Sequence, residues 1–176
     1  MNMKFKKFTA CLMATASLVT GMVGMSASAA DMPDAPKNYG NTSITSFTVP
    51  PCTMDWRKYT GDYAMRNKND SSEVYFYAQS GTMSLNLRTY GCTTGGSWGT
   101  NLTMNSAGSY VDCVSCSIGT EYAIKNYIYE RKNSSGNRMY TKAGLELRTT
   151  SSYQGTTISG VWSPDSYMTS DMKYAN

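Results

Sequence analysis

The chain has 176 residues, with 14 tyrosines, five cysteines, no histidine, and 16 basic against 12 acidic residues for a formal charge of +4. That length suits one domain, and the missing histidine excludes Ser-His and Cys-His nucleophile pairs and every histidine-ligated metal. Charged residues make up only 16%, below the roughly 25% usual in globular chains, and uncharged polar residues and tyrosine take their place.

Lys4, Lys6 and Lys7 precede an uncharged run over residues 8–25, which ends in the small residues Ser26, Ala27, Ser28, Ala29 and Ala30. That order predicts a cleaved secretory signal peptide over residues 1–30. The run is as long as the shortest membrane spans, but its Thr, Ser and Gly content and its small-residue end favour cleavage. Cys11 stands at the front of the run, where no apolar segment precedes it, so lipid attachment is rejected. Removing residues 1–30 leaves 146 residues with 13 basic and 12 acidic groups, and the charge falls to +1. No basic stripe and no second apolar span remain, so neither nucleic acid nor membrane is expected as a partner. The mature chain is expected to be secreted, in the extracellular space.

Residues 31–43 carry Pro33 and Pro36 among polar neighbours and predict a loose leader, followed by one β domain over residues 44–176. A first strand over 44–49 is closed by Pro50 and Pro51. In residues 72–79, Val74, Phe76 and Ala78 share one face, and Glu73, Tyr75, Tyr77 and Gln79 the other. After a turn at Ser80 and Gly81, Met83, Leu85 and Leu87 again oppose Ser84, Asn86, Arg88 and Tyr90. Two alternating runs joined by two turn residues predict a β-hairpin. Residues 91–108 are rich in loop formers, crossed by a short strand over 101–104. A second hairpin is predicted from residues 122–131, with Tyr122, Ile124 and Ile128 opposing Lys125, Tyr127, Tyr129 and Arg131. It turns at 133–137 and returns over 139–149 with Leu145 and Leu147 inside. A last strand covers 155–162, after which Ser163 as N-cap and Pro164 in the first turn predict a turn or one turn of helix. No ten residues hold a 3.6-residue apolar period. The fold class is therefore all-β, an antiparallel β-sandwich or barrel of about seven or eight short strands.

Cys52, Cys92, Cys113 and Cys116 survive signal removal, and an even number in an exported chain predicts two disulfides with three possible connectivities. Cys52–Cys92 with Cys113–Cys116 is the favoured pairing, because the last two cannot part far enough to serve distant partners. A redox role for Cys113-Val-Ser-Cys116 needs a helix start, and the sequence after it reads as a strand. A zinc site needs a second close pair, and Cys52 and Cys92 stand 40 positions apart. No cofactor is expected.

The alternation sends Tyr75, Tyr77, Tyr90, Tyr127 and Tyr129 to the side opposite the aliphatic residues, with Arg88, Lys125 and Arg131 among them. These tyrosines and Trp162 are the predicted ligand-binding residues, since a phenol offers flat apolar area and a hydroxyl at low entropy cost. The plainer alternatives are rings that stabilise an exposed sheet face by cross-strand pairing, or core rings whose hydroxyls reach the rim. For catalysis without histidine, paired carboxylates are the remaining option. Glu73, Glu130 and Glu146 read more simply as solvated strand residues, so no catalytic constellation is recognised and the chain is not expected to be an enzyme. The expected function is a secreted binding module for a cell-surface carbohydrate or protein. The alternative is a small bacteriocin-like antimicrobial effector.

Three stretches carry a resemblance: Arg66-Asn-Lys68 with Ser71-Ser-Glu-Val-Tyr75, the run Glu-Tyr-Ala-Ile-Lys-Asn-Tyr-Ile-Tyr-Glu over residues 121–130, and Ser-Gly-Val-Trp-Ser-Pro-Asp-Ser over 159–166. Together they resemble a family of short secreted proteins of Gram-positive bacteria with no established activity, which end in a similar Ser-Gly-x-Trp-Ser-Pro-Asp-Ser run. The resemblance implies secretion and a compact β-rich domain, and it supplies no catalytic residues.

Overall fold

The structure is a computed structural model that describes residues 41–61 and 63–176. The predicted signal peptide and residues 31–40 of the predicted leader lie outside the described residues. Among the described residues there is no helix. The strands are β1 (Thr42–Val49), β2 (Arg57–Lys58), β3 (Met65–Asn67), β4 (Glu73–Ser80), β5 (Leu85–Cys92), β6 (Trp98–Asn101), β7 (Val114–Cys116), β8 (Glu121–Ile124), β9 (Lys142–Thr149), β10 (Thr156–Ser166) and β11 (Lys173–Tyr174). Sheet I has the order β1-β10-β4-β8-β11. Sheet II has the order β2-β9-β5-β6, with β3 also on β9 and β7 also on β5. Apart from the parallel pair β8–β11, the strand pairs are antiparallel. The protein is thus all-β, built on two sheets, as the period-2 patterning predicts.

The core lies between the sheets. Ile44, Val74, Phe76, Ile124, Ile158 and Trp162 of sheet I pack in one cluster with Leu85, Leu87, Val114, Leu145 and Leu147 of sheet II. These side chains are all but sealed from solvent, and each large one contributes about 1.5–3 kcal/mol by leaving water.

Both predicted hairpins are corrected by the pairing. β4 lies in sheet I and β5 in sheet II, so residues 81–84 arch from one sheet to the other. Alternation marks an inner face without naming its hydrogen-bond partner, and here the two inner faces meet across the core. The second case repeats the first. β8 ends at Ile124 in sheet I while β9 belongs to sheet II. The turn at 133–137 does form, with the Asn133 N–H donating to the Asn137 carbonyl at 2.9 Å and Lys132 bridging to Arg138.

The expected helical turn after Trp162 is also corrected. Ser163 and Pro164 sit inside β10, where Trp162 pairs with Phe76 and Ser163 with Tyr75. Gly160, one turn of the pleat earlier, lies where β10 shifts register against β4. A Cβ there would stand 2.0 Å from the Tyr77 carbonyl oxygen, so only glycine permits this approach. Beyond Ser166 the chain covers the outer face of sheet I. Met172 packs with Tyr75, Ala123 and Val161, and the Ser115 N–H donates to the Asn176 carbonyl at 2.6 Å. This segment buries single side chains rather than a stripe, so it leaves no periodicity to read.

The two expected disulfides are absent: Cys52, Cys92, Cys113 and Cys116 are free thiols. Strand register gives the reason. Cys92 pairs with Lys142 at one end of β9, whereas the Cys52 N–H donates to the Ser151 carbonyl beyond its other end. Nine residues of extended chain separate those levels by roughly 30 Å, against the limit of about 7 Å between bridged Cα atoms. Cys116 points into the core from β7. Cys113, three residues earlier on the same run, falls on the opposite face.

Candidate functional site

The predicted tyrosines do not form one ladder. Tyr75 and Tyr77 lie on the outer side of sheet I, Tyr90 on the outer side of sheet II, and Tyr127 and Tyr129 in the turn that follows β8. Tyr75 is 1% exposed and Trp162 is 0% exposed, so neither presents its ring to solvent, and that expectation is corrected for both. Tyr75 is roofed by the C-terminal segment, and burial together with the nearby Glu121 carboxylate pushes its phenol pKa up. Trp162 belongs to the inner face of β10.

Tyr127 and Tyr129 do come together. With Glu130, Lys132, Asn137 and Arg138 they line an open depression of about 700 Å3. Local hydrogen bonding shapes its rim, since the Asn133 carboxamide oxygen accepts from the backbone N–H groups of Ser135 and Asn137 at 3.0 Å each. Tyr110 meets Tyr127 edge-on, with centroids 5.9 Å apart. The Arg138 guanidinium lies 4.0 Å from the Tyr129 ring centre, and its Nη2 donates to the Lys68 carbonyl at 2.7 Å. Two polar atoms are left over. Glu130 Oε2 and Arg138 Nε are buried without a hydrogen-bond partner. A buried polar group in that condition costs about 1–3 kcal/mol.

A second depression of about 370 Å3 adjoins the same chain segment and is lined by Tyr63, Arg66, Asn67, Asn69, Lys142 and Pro164. Beneath it Lys68 and Asp165 form an ion pair at 2.7 Å with no side-chain exposure. The Asn69 N–H donates to the second oxygen of Asp165 at 3.0 Å. Burial lowers the Lys68 pKa, and the Asp165 charge opposes that shift.

Tyr90 belongs to another layer, on the outer face of sheet II. Trp56 lies over two guanidiniums, those of Arg88 at 3.9 Å and Arg148 at 4.1 Å. Arg88 also reaches Glu146 at 3.7 Å. Trp98 meets Tyr90 edge-on at 5.6 Å and Lys58 Nζ at 5.1 Å. Its ring sits so close to Gly144 that a Cβ there would come within 2.7 Å. Alternation alone places Arg88, Glu146 and Arg148 on this face, but Trp56 and Trp98 come from stretches without a period. The glutamates considered for catalysis occupy three separate places. Glu73 accepts from the Tyr174 hydroxyl at 3.3 Å, Glu130 lines the first depression, and Glu146 lies under Arg88.

The frame and the site thus define a two-sheet all-β protein with an open depression of aromatic and charged residues at one end. The chain belongs to the family described as Protein of unknown function (DUF2712), which matches residues 26–166. That stretch runs to the last residue of β10 and includes both depressions. No curated protein and no solved structure matches the chain.

Proposed function

We propose that this chain is an exported binding module that holds a cell-surface carbohydrate in the depression flanked by Tyr127 and Tyr129. The observation that carries the reading is the convergence of two phenol rings with Glu130, Lys132, Asn137 and Arg138 on one open depression. Sugar hydroxyls each donate and accept, so they suit this mixture of carboxylate, carboxamide and cationic side chains while the apolar face of the ring packs on a phenol. The signal pattern of residues 1–30 and the resemblance of the 159–166 run to secreted proteins support export. The lining mixes aromatic area with a few convergent polar groups, as small-molecule sites do.

The test is a glycan array probed with the wild type and with the double variant Tyr127→Ser, Tyr129→Ser. The variant should keep the far-UV spectrum and lose the binding. Binding retained by a folded double variant removes the reading.

A further inference from the structure

We infer that the ligand is an anionic oligomer, a run of sugar or polyol units carrying carboxylates or phosphates, long enough to occupy both depressions at once. This rests on the carbohydrate reading above and extends it in length and charge. The two depressions share a wall. Arg138 lines the first and donates to the carbonyl of Lys68, while the residues on either side of Lys68, Asn67 and Asn69, line the second. Arg138 and Lys142 face different depressions from one short run of chain, and four residues span at most about 14 Å. A ligand crossing that wall meets a continuous tract rather than two isolated cups.

The charge of the tract is one-sided. Lys132, Arg138, Arg66 and Lys142 line it against a single carboxylate, Glu130. Asp165 lies below the floor and is matched by Lys68. In a chain whose mature charge is only +1, such a concentration favours a negative ligand and speeds its arrival. Tyr63, 75% exposed at the far end, holds a positive φ of 58°. That conformation is uncommon for a bulky residue, and the exposed phenol adds a third ring for a further unit.

The experiment is titration calorimetry of the purified protein with four probes: a galacturonate tetramer, a glycerol-phosphate tetramer, an uncharged glucose tetramer and a galacturonate monomer. At least one charged tetramer is expected to bind about tenfold or more tighter than the glucose tetramer, with the advantage shrinking in 0.5 M salt. The stronger of the two charged arms identifies the acid. Lys142→Gln should weaken the charged tetramer several-fold and leave the monomer unchanged, and Tyr127→Ser with Tyr129→Ser should abolish both. If the glucose tetramer binds as tightly as the charged ones, or Lys142→Gln leaves the tetramer untouched, the inference falls while the carbohydrate reading stands. If none of the probes binds, or the folded tyrosine variant binds as before, both fall together.

Discussion

Lys68 and Asp165 stand 97 positions apart and meet at 2.7 Å in a place that water does not reach. The contact joins the end of β3 to the end of β10. Beside it the Ser166 N–H donates to the Ser72 hydroxyl at 3.1 Å. The Arg-Asn-Lys stretch, the Ser-Ser-Glu stretch and the Ser-Pro-Asp-Ser run therefore converge on one point under the second depression.

Removing one partner of that pair strands a charge in the interior. Asp165→Asn should cost about 3–5 kcal/mol in urea unfolding. The double change Lys68→Met, Asp165→Leu replaces the pair with apolar groups and should cost far less than either charge-stranding single change. Equal losses in the single and double variants would show that shape, and not charge, governs this contact.

Trp56 closes the outer layer of sheet II by stacking on Arg88 and Arg148. Trp56→Ala should lower stability by about 1–2 kcal/mol through loss of the two cation–π contacts. The change should leave the proposed carbohydrate binding alone, because Trp56 lines neither depression. Thermal unfolding and the glycan array together check both halves.

Two glycines separate crowding from backbone strain. Gly160→Ala drives a Cβ into the Tyr77 carbonyl and should cost more than about 3 kcal/mol. Gly136 has a φ of 79° with open space around it, so Gly136→Ala should cost only about 1 kcal/mol. Chemical denaturation of both variants ranks them.

The four thiols divide by access. At pH 8 a thiol reagent should modify the partly exposed Cys52 and Cys113 in the native protein, and Cys92 and Cys116 only after unfolding. Burial pushes the Cys92 thiol up to about 11, against about 8.5 in an unfolded chain. Its folded pKa is the higher one, so its contribution to stability is complete below pH 8.5 and drains away as pH climbs toward 11. The wild type should accordingly lose ground to Cys92→Ala over that interval in pH-dependent melting curves. Parallel curves would refute the assignment.

What alternation encodes is which side of a strand faces inward. Val74, Phe76, Ala78, Leu85, Leu87, Leu145 and Leu147 are all interior, as their spacing predicts. It does not encode the neighbour. A hairpin and an arch between sheets have the same pattern, so β4 and β5 read as partners although they face each other across the core. The same gap explains the tyrosines. Tyr75 does point outward from β4, but residues 167–176 arrive to cover it, and nothing near Tyr75 in the sequence announces that cover. Alternation places Tyr127 and Tyr129 on the side opposite the aliphatic residues, and both are partly exposed. Arg138 follows the turn at 133–137 and is held by the Lys68 carbonyl, 70 positions away in sequence. The cysteine count likewise says nothing about register, and register keeps Cys52 and Cys92 at opposite ends of β9.

Sheet I takes one of its inner strands from almost the end of the chain. β10 lies between β1 and β4, and Thr42 waits for Trp162 as its partner. A polypeptide made from its N-terminus therefore cannot seat its first strand until nearly all of it has emerged, and such distant pairing is slow. Until then β1 and β4 each offer a bare edge. A chain cut short before Thr156 leaves both edges open permanently, ready to recruit any strand that comes by. Assembly of this domain is thus an all-at-the-end event, and a truncated chain is left sticky.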